Sequence, residues 1–173
     1  GGEMPVVMGA GGSGILLHEA IGHAFEADFN RKNTSIFSDQ LNKKVCNEHI
    51  NVVDDGTIPF NRGSVNIDDE GVDGQKTYIV REGVLTSYLH DRISAKHYGI
   101  PSTGNGRRES FRQMPIPRMR ATYMEAGNVT EEEIISTVKK GIYAANFTNG
   151  QVQIGAGDFT FFVKDGYLIE NGK

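Results

Sequence analysis

Apolar residues in this chain come mostly in short runs separated by glycine-bearing turns, the pattern of strands rather than of long helices. Met4-Pro5-Val6-Val7-Met8, closed by Gly9, reads as a buried strand. Gly9, Gly11 and Gly12 then form a turn, with Ser13 as an N-cap for the next element. Over residues 14–29 the period changes: Ile15, Leu16, Ile21, Phe25 and Phe29 recur at roughly helical spacing. Ser35-Ile36-Phe37 and Ile50-Asn51-Val52-Val53 are β-prone pieces. Thr77-Tyr78-Ile79-Val80 and Val84-Leu85-Thr86-Ser87-Tyr88 flank Arg81-Glu82-Gly83 as a hairpin. Residues 91–98 predict a short helix, and residues 100–120, with Pro101, Pro115 and Pro117, an irregular ordered loop.

Thr130 and Glu133 have the spacing of a capping box. They predict a helix through Ile134, Ile135, Val138 and Ile142, with Gly141 as its stop. Phe159-Thr160-Phe161-Phe162-Val163 and Tyr167-Leu168-Ile169-Glu170, separated by Asp165-Gly166, predict a second hairpin. Asn171-Gly172 is a further hairpin signal with only Lys173 after it, so the sheet is expected to continue beyond this piece. The fold class expected is α+β: mainly antiparallel sheet, a helix of residues 14–29 packed against it, and a second helix near residues 130–141.

Composition narrows the function. The chain has 173 residues, enough for one domain with a real core, and 22 of them are glycine, which fits a turn-rich fold. A net charge of −4 gives no electrostatic case for nucleic acid or a membrane surface. No apolar run approaches the roughly 20 residues that a membrane helix needs. The single cysteine, Cys46, excludes a disulfide scaffold and favours a reducing compartment, so the expected location is cytoplasmic.

The chemistry concentrates in His18-Glu19-Ala20-Ile21-Gly22-His23. Two imidazoles and a carboxylate this close can hold zinc and supply the base that activates its water. In that reading His18 and His23 are metal ligands. Glu19 is the catalytic general base, then the acid toward the leaving amine. The competing reading is a helix with incidental histidines. The spacing is one residue longer than the usual metalloprotease pattern. On a regular helix residues five apart diverge by about 140°, so a shared metal requires either a π-bulge or a distortion near Gly22. Glu26 and Asp28 are either partners orienting the histidines or solvated helix residues.

The residues that carry this pattern also carry a family likeness. Glu3-Met4-Pro5-Val6-Val7 and the His18–His23 run with Glu26, Asp28 and Phe29 closely resemble the TldD side of the TldD/PmbA peptidases. So do Val53-Asp54-Asp55-Gly56-Thr57, Gly63-Ser64-Val65 and Asp68-Asp69-Glu70-Gly71. The likeness continues through the stretch from Thr103 to Ser110, Pro117-Arg118-Met119, and the stretch from Tyr167 to Gly172. The resemblance implies a cytoplasmic, zinc-dependent peptidase acting on unstructured peptides and peptide precursors. It also implies a PmbA-like partner subunit lacking the metal motif, or a homodimer. It implies a third zinc ligand, a cysteine in a Gly-rich segment downstream of Lys173. Residues 1–173 thus correspond to a single domain, a piece of the catalytic domain without the N-terminal domain or C-terminal end. Alone, it is expected to bind metal poorly and to be inactive. The alternative is a non-catalytic peptide-binding or regulatory subunit, of the kind once described as a modulator of DNA gyrase.

Cys46 does not match the family's ligand cysteine and is expected to be a small buried apolar residue. His49, His90 and His97 are expected to have structural or surface roles. Gly9-Ala10-Gly11-Gly12-Ser13-Gly14 superficially resembles a phosphate loop, but it lacks the Lys-Ser/Thr ending, so a sharp turn into the metal helix is the better reading. Arg107, Arg108, Arg112, Arg118 and Arg120 form a basic cluster. It suits a peptide carboxylate, a partner subunit, nucleic acid or structural ion pairs with the chain's many acids.

Overall fold

Two strand systems hold the chain, and the computed structural model describes residues 2–173 of it. The first is a four-stranded antiparallel sheet ordered β4-β3-β2-β7, built from β2 (Val52–Asp55), β3 (Lys76–Arg81), β4 (Val84–Leu85) and β7 (Thr122–Met124). In the second, β1 (Val6–Met8) lies parallel to β8 (Lys140–Gln153), which pairs antiparallel with β9 (Asp158–Glu170). A small ladder joins β5 (Gly106–Arg107) to β6 (Ile116–Pro117). The α+β class and the mainly antiparallel sheet are those expected.

The core lies between the four-stranded sheet and the segment carrying the histidines. Val52, Ile79, Val80 and Leu85 from the sheet meet Leu17, Phe25 and Ala27, and Tyr88, Leu89 and Met119 close the cluster. The expected long helix of residues 14–29 is in fact four short pieces. One α-turn, α1 (Gly14–Leu16), runs into a π-helical turn (Leu17–Gly22), a 3-10 turn (His23–Phe25) and, after a break, α2 (Ala27–Arg31). The break is Glu26, whose backbone is extended at φ −68°, ψ 128°. Tertiary pairing produces it: Leu89 N–H donates to the Phe25 carbonyl and Ala27 N–H to the Leu89 carbonyl. The carbonyls released there are recovered by side chains. Asn30 Nδ2 donates to the carbonyls of Ala24 and Glu26, and Ser35 Oγ donates to that of Ala24.

Several local expectations are corrected. Ser13 occupies the N-cap position without capping, because its hydroxyl donates back to the Gly9 carbonyl at 2.6 Å. Residues 35–37 are turns rather than strand, with the Ser35 hydroxyl spent on Ala24. The strand expected to begin at Ile50 begins at Val52, and β4 stops after Leu85. There the N–H groups of Thr86 and Ser87 both turn to the Ile79 carbonyl. The short helix expected over residues 91–98 is α3 (Arg92–Tyr98), capped by Asp91, which accepts from Ser94 N–H.

The capping box at Thr130 and Glu133 forms, but its helix, α4 (Glu131–Ser136), ends before the expected Gly141. Val6 pairs with Ile142 in the parallel β1–β8 ladder, which claims that stretch as strand. A Cβ on Gly141 would lie 2.6 Å from the Pro5 carbonyl, so the close approach of β1 requires glycine. Asp165-Gly166 is not a turn. Both residues lie inside β9, where Gly166 pairs with Ala144 and Asp165 with Asn146 across an irregularity in register. The real reversal is residues 154–157, with Gly157 at φ +77°. Asn171 and Gly172 do take the paired positive φ of a type I′ turn, +53° and +78°.

Candidate metal centre

The π-turn brings the two histidines together. His23 N–H donates to the His18 carbonyl, an i to i−5 bond that stacks residues five apart on one face. The imidazoles meet edge to face with centroids 4.9 Å apart. One ligand atom each from His18, Glu19 and His23 can be chosen so that all lie within 4.8 Å of one another. Glu19 carboxylate oxygens stand 4.0 Å from Nε2 of both rings. Between the two distortions open from sequence, the structure has the π-turn, and Gly22 contributes in another way. A Cβ there would run into Met119 Sδ, so the missing side chain admits a buried residue of the core.

Behind His23 sits a carboxylate wholly removed from solvent. Glu26 is 0% exposed, and its Oε2 accepts from His23 Nδ1 at 3.1 Å and from Arg118 Nη1 at 2.9 Å. The orienting role weighed for Glu26 is therefore realised. Asp28 is buried too, but reaches Arg118 at 3.7 Å rather than a histidine. The two imidazoles feel opposite fields. Hydrogen bonding to Glu26 raises the pKa of His23 against the opposing effect of burial. Burial, with His23 beside it and the Arg107 guanidinium adding to the effect, lowers that of His18.

These side chains fit zinc. Donors of a tetrahedral site stand about 3.4 Å apart at the usual zinc–nitrogen length, so ring movements on the order of an ångström would suffice. Glu26 on Nδ1 leaves Nε2 of His23 free, the usual way a ligand histidine is set. Among the described residues, His18, Glu19 and His23 are the one metal-capable cluster, and Cys46 is not part of it. Cys46 is exposed, correcting its expected burial. His90 is deeply buried among Tyr88 and Tyr98, as a structural histidine would be.

The glycine run is a turn, as preferred. Gly9 N–H bonds to the Ala144 carbonyl, and a Cβ at Gly12 would strike the Ala145 carbonyl at 2.5 Å, so the loop lies against β8. The arginines have separate partners, and Arg118 bears out the structural ion pairing weighed for them. Arg118 serves Glu26, Arg120 donates to the carbonyls of Gly104 and Gly106, and Arg108 donates to that of Gln113. The contact that sequence reasoning missed is Arg118 with Glu26. The residues are 92 positions apart, and only the charge complement of a buried acid could have suggested it.

The family described as PmbA/TldA metallopeptidase C-terminal domain matches residues 1–173. A metalloprotease TldD homolog of Buchnera aphidicola is 52% identical over 172 residues, covering 99% of this chain and 36% of its own length. A zinc metalloprotease TldD homolog of Saccharolobus solfataricus is 36% identical, covering 99% of this chain and 38% of its own. The crystal structure of TldE from Thermococcus kodakarensis superposes with a TM-score of 0.84 at 26% identity, covering 99% of this chain and 39% of that one. The chain spans little more than a third of the length of these relatives. With the match along its whole length, the chain belongs to the PmbA/TldD metallopeptidase family, in the C-terminal domain of its members.

Proposed function

We propose that this chain is part of the catalytic domain of a zinc-dependent peptidase that hydrolyses peptide bonds of unstructured peptides or peptide precursors. The observation that carries the reading is the π-turn, which gathers His18, Glu19 and His23 with Glu26 fixed behind the second imidazole. His18 and His23 would hold the metal. A catalytic zinc takes three protein ligands, so the third comes from outside this constellation, in keeping with the family's cysteine. Bound zinc would supply Lewis acidity, lowering the pKa of a water and polarising a carbonyl. Glu19 would accept a proton on a carboxylate oxygen as general base and return it to the departing amine nitrogen as general acid. The peptide is held extended, by backbone hydrogen bonds to a sheet edge that are indifferent to its side chains. A PmbA-like subunit or a second copy would complete the assembly, and the reading places it in the cytoplasm.

Glu19→Gln in the full-length protein tests this. Zinc content should stay at the wild-type level while peptidase activity falls by about 10²–10⁴-fold, the range for losing a general base. Unchanged activity would sink the assignment of Glu19. A wild-type protein that takes up no zinc and cleaves no peptide would instead favour the non-catalytic, peptide-binding or regulatory subunit. The 173-residue chain alone, with two imidazoles, should bind zinc weakly and cleave nothing.

A further inference from the structure

The buried carboxylate behind His23 is held by a chain of hydrogen bonds that starts in the four-stranded sheet. Asp54 on β2 accepts at Oδ2 from Asn105 Nδ2 at 2.7 Å. The same Asn105 Nδ2 donates to the Arg118 carbonyl at 3.0 Å, and Arg118 N–H donates back to the Asn105 carbonyl at 2.9 Å. Asn105 and Asp54 are each 1% exposed, so these bonds lie away from competing water. The backbone of Arg118 is thereby clamped. Nη1 donates to the Pro117 carbonyl at 2.7 Å and to Glu26 Oε2 at 2.9 Å, and stands 3.7 Å from Asp28 Oδ1.

We propose that Arg118 is a positioning residue for His23, acting through Glu26, with Asn105 and Asp54 holding Arg118 in register. The inference rests on reading His23 as a metal ligand. Apart from Arg118 and the His23 ring, Glu26 has no charge-bearing partner, and its Oε1 has no hydrogen-bond partner, among the described residues. Arg118 Nη1 donates to the same Oε2 that meets His23 Nδ1, which fixes the carboxylate in one orientation. Glu26 is thereby a fixed acceptor for Nδ1–H and leaves Nε2 toward His18 and Glu19. The Pro117 carbonyl, Glu26 Oε2 and Asp28 Oδ1 all face the single Nη1 of the guanidinium.

The test reads the tautomer of His23 in metal-free protein by long-range ¹H–¹⁵N NMR, at a pH where the ring is neutral. Wild type should show a single Nδ1–H tautomer. Arg118→Met should show a mixture, and Arg118→Lys an intermediate state. Zinc affinity of the full-length protein, measured by chelator competition, should fall about ten- to a hundredfold in Arg118→Met. Should that variant fail to fold, Arg118→Met combined with Glu26→Gln removes the unpaired buried anion. Its tautomer ratio should equal that of Glu26→Gln alone, because the two residues act in series. An unaltered Nδ1–H tautomer in Arg118→Met, a wild-type ring protonated on Nε2, or independent effects of the two substitutions would overturn the proposal. Failure of the peptidase reading shows separately, as activity that survives Glu19→Gln.

Discussion

Acid should unfold this protein partly through one histidine. The His90 side chain is 1% exposed, stands against the rings of Tyr88 and Tyr98, and has no partner for Nδ1 among the described residues. Burial pulls its pKa down to about 4, and the neighbouring Asp91 carboxylate only partly opposes this. In the unfolded chain the ring titrates near 6.5. Between those two values the unfolded state binds a proton that the folded state refuses, so stability is full above about pH 6.5 and drains away as the pH falls toward about 4. A difference of about 2.5 pKa units corresponds to about 3 kcal/mol at roughly 1.36 kcal/mol each, nearly all of it lost by about pH 4. Urea unfolding at neutral pH and near pH 4 measures the loss. With a slope of about 2 kcal/mol/M, His90 accounts for roughly 1.5 M of the acid shift in midpoint. His90→Phe keeps an aromatic ring beside the two tyrosines and removes the titration. Other groups shift both proteins alike, so the difference between them isolates His90. Equal acid shifts in wild type and variant would refute the reasoning.

Four further substitutions have effects set by the geometry. Asp54 accepts from Arg120 N–H, Thr122 Oγ1 and Asn105 Nδ2. Asp54→Asn places an amide among those donors and should cost about 1–3 kcal/mol in denaturant melts. Gly141→Ala drives a Cβ against the Pro5 carbonyl. It should destabilise by about 1–3 kcal/mol and speed hydrogen exchange first at the β1–β8 ladder. Leu89 is fully buried and its backbone fixes the break at Glu26. Leu89→Ala should cost about 2–5 kcal/mol by calorimetry, while Ile134→Ala on the exposed face of α4 should stay within about 0.5 kcal/mol.

The relation of sequence to structure differs from element to element. The capping box at Thr130, the short helix near residues 91–98 and the β3–β4 hairpin are readable because each depends on residues a few positions apart. The Asp165-Gly166 turn and the long helix toward Gly141 fail for a shared reason. Each is a sound local preference, overridden when β1 and β8 claim the backbone as strand. Cys46, expected to be buried as a small apolar residue, is exposed.

At the candidate site the division is sharper. The spacing of His18 and His23 alone requires an irregular helix, because no regular one puts residues five apart on one face, and the π-turn meets that requirement. Sequence likewise specifies the donor types. It cannot tell whether Glu26 is solvated or buried, because that depends on Leu89 breaking the helix there. Nor can it pair Glu26 with Arg118, since a contact across 92 positions exists only once the sheet, Asn105 and the segment before β7 have packed. Local chemistry is encoded by neighbours in the chain, whereas the burial that makes a carboxylate need its arginine is a property of the assembled core.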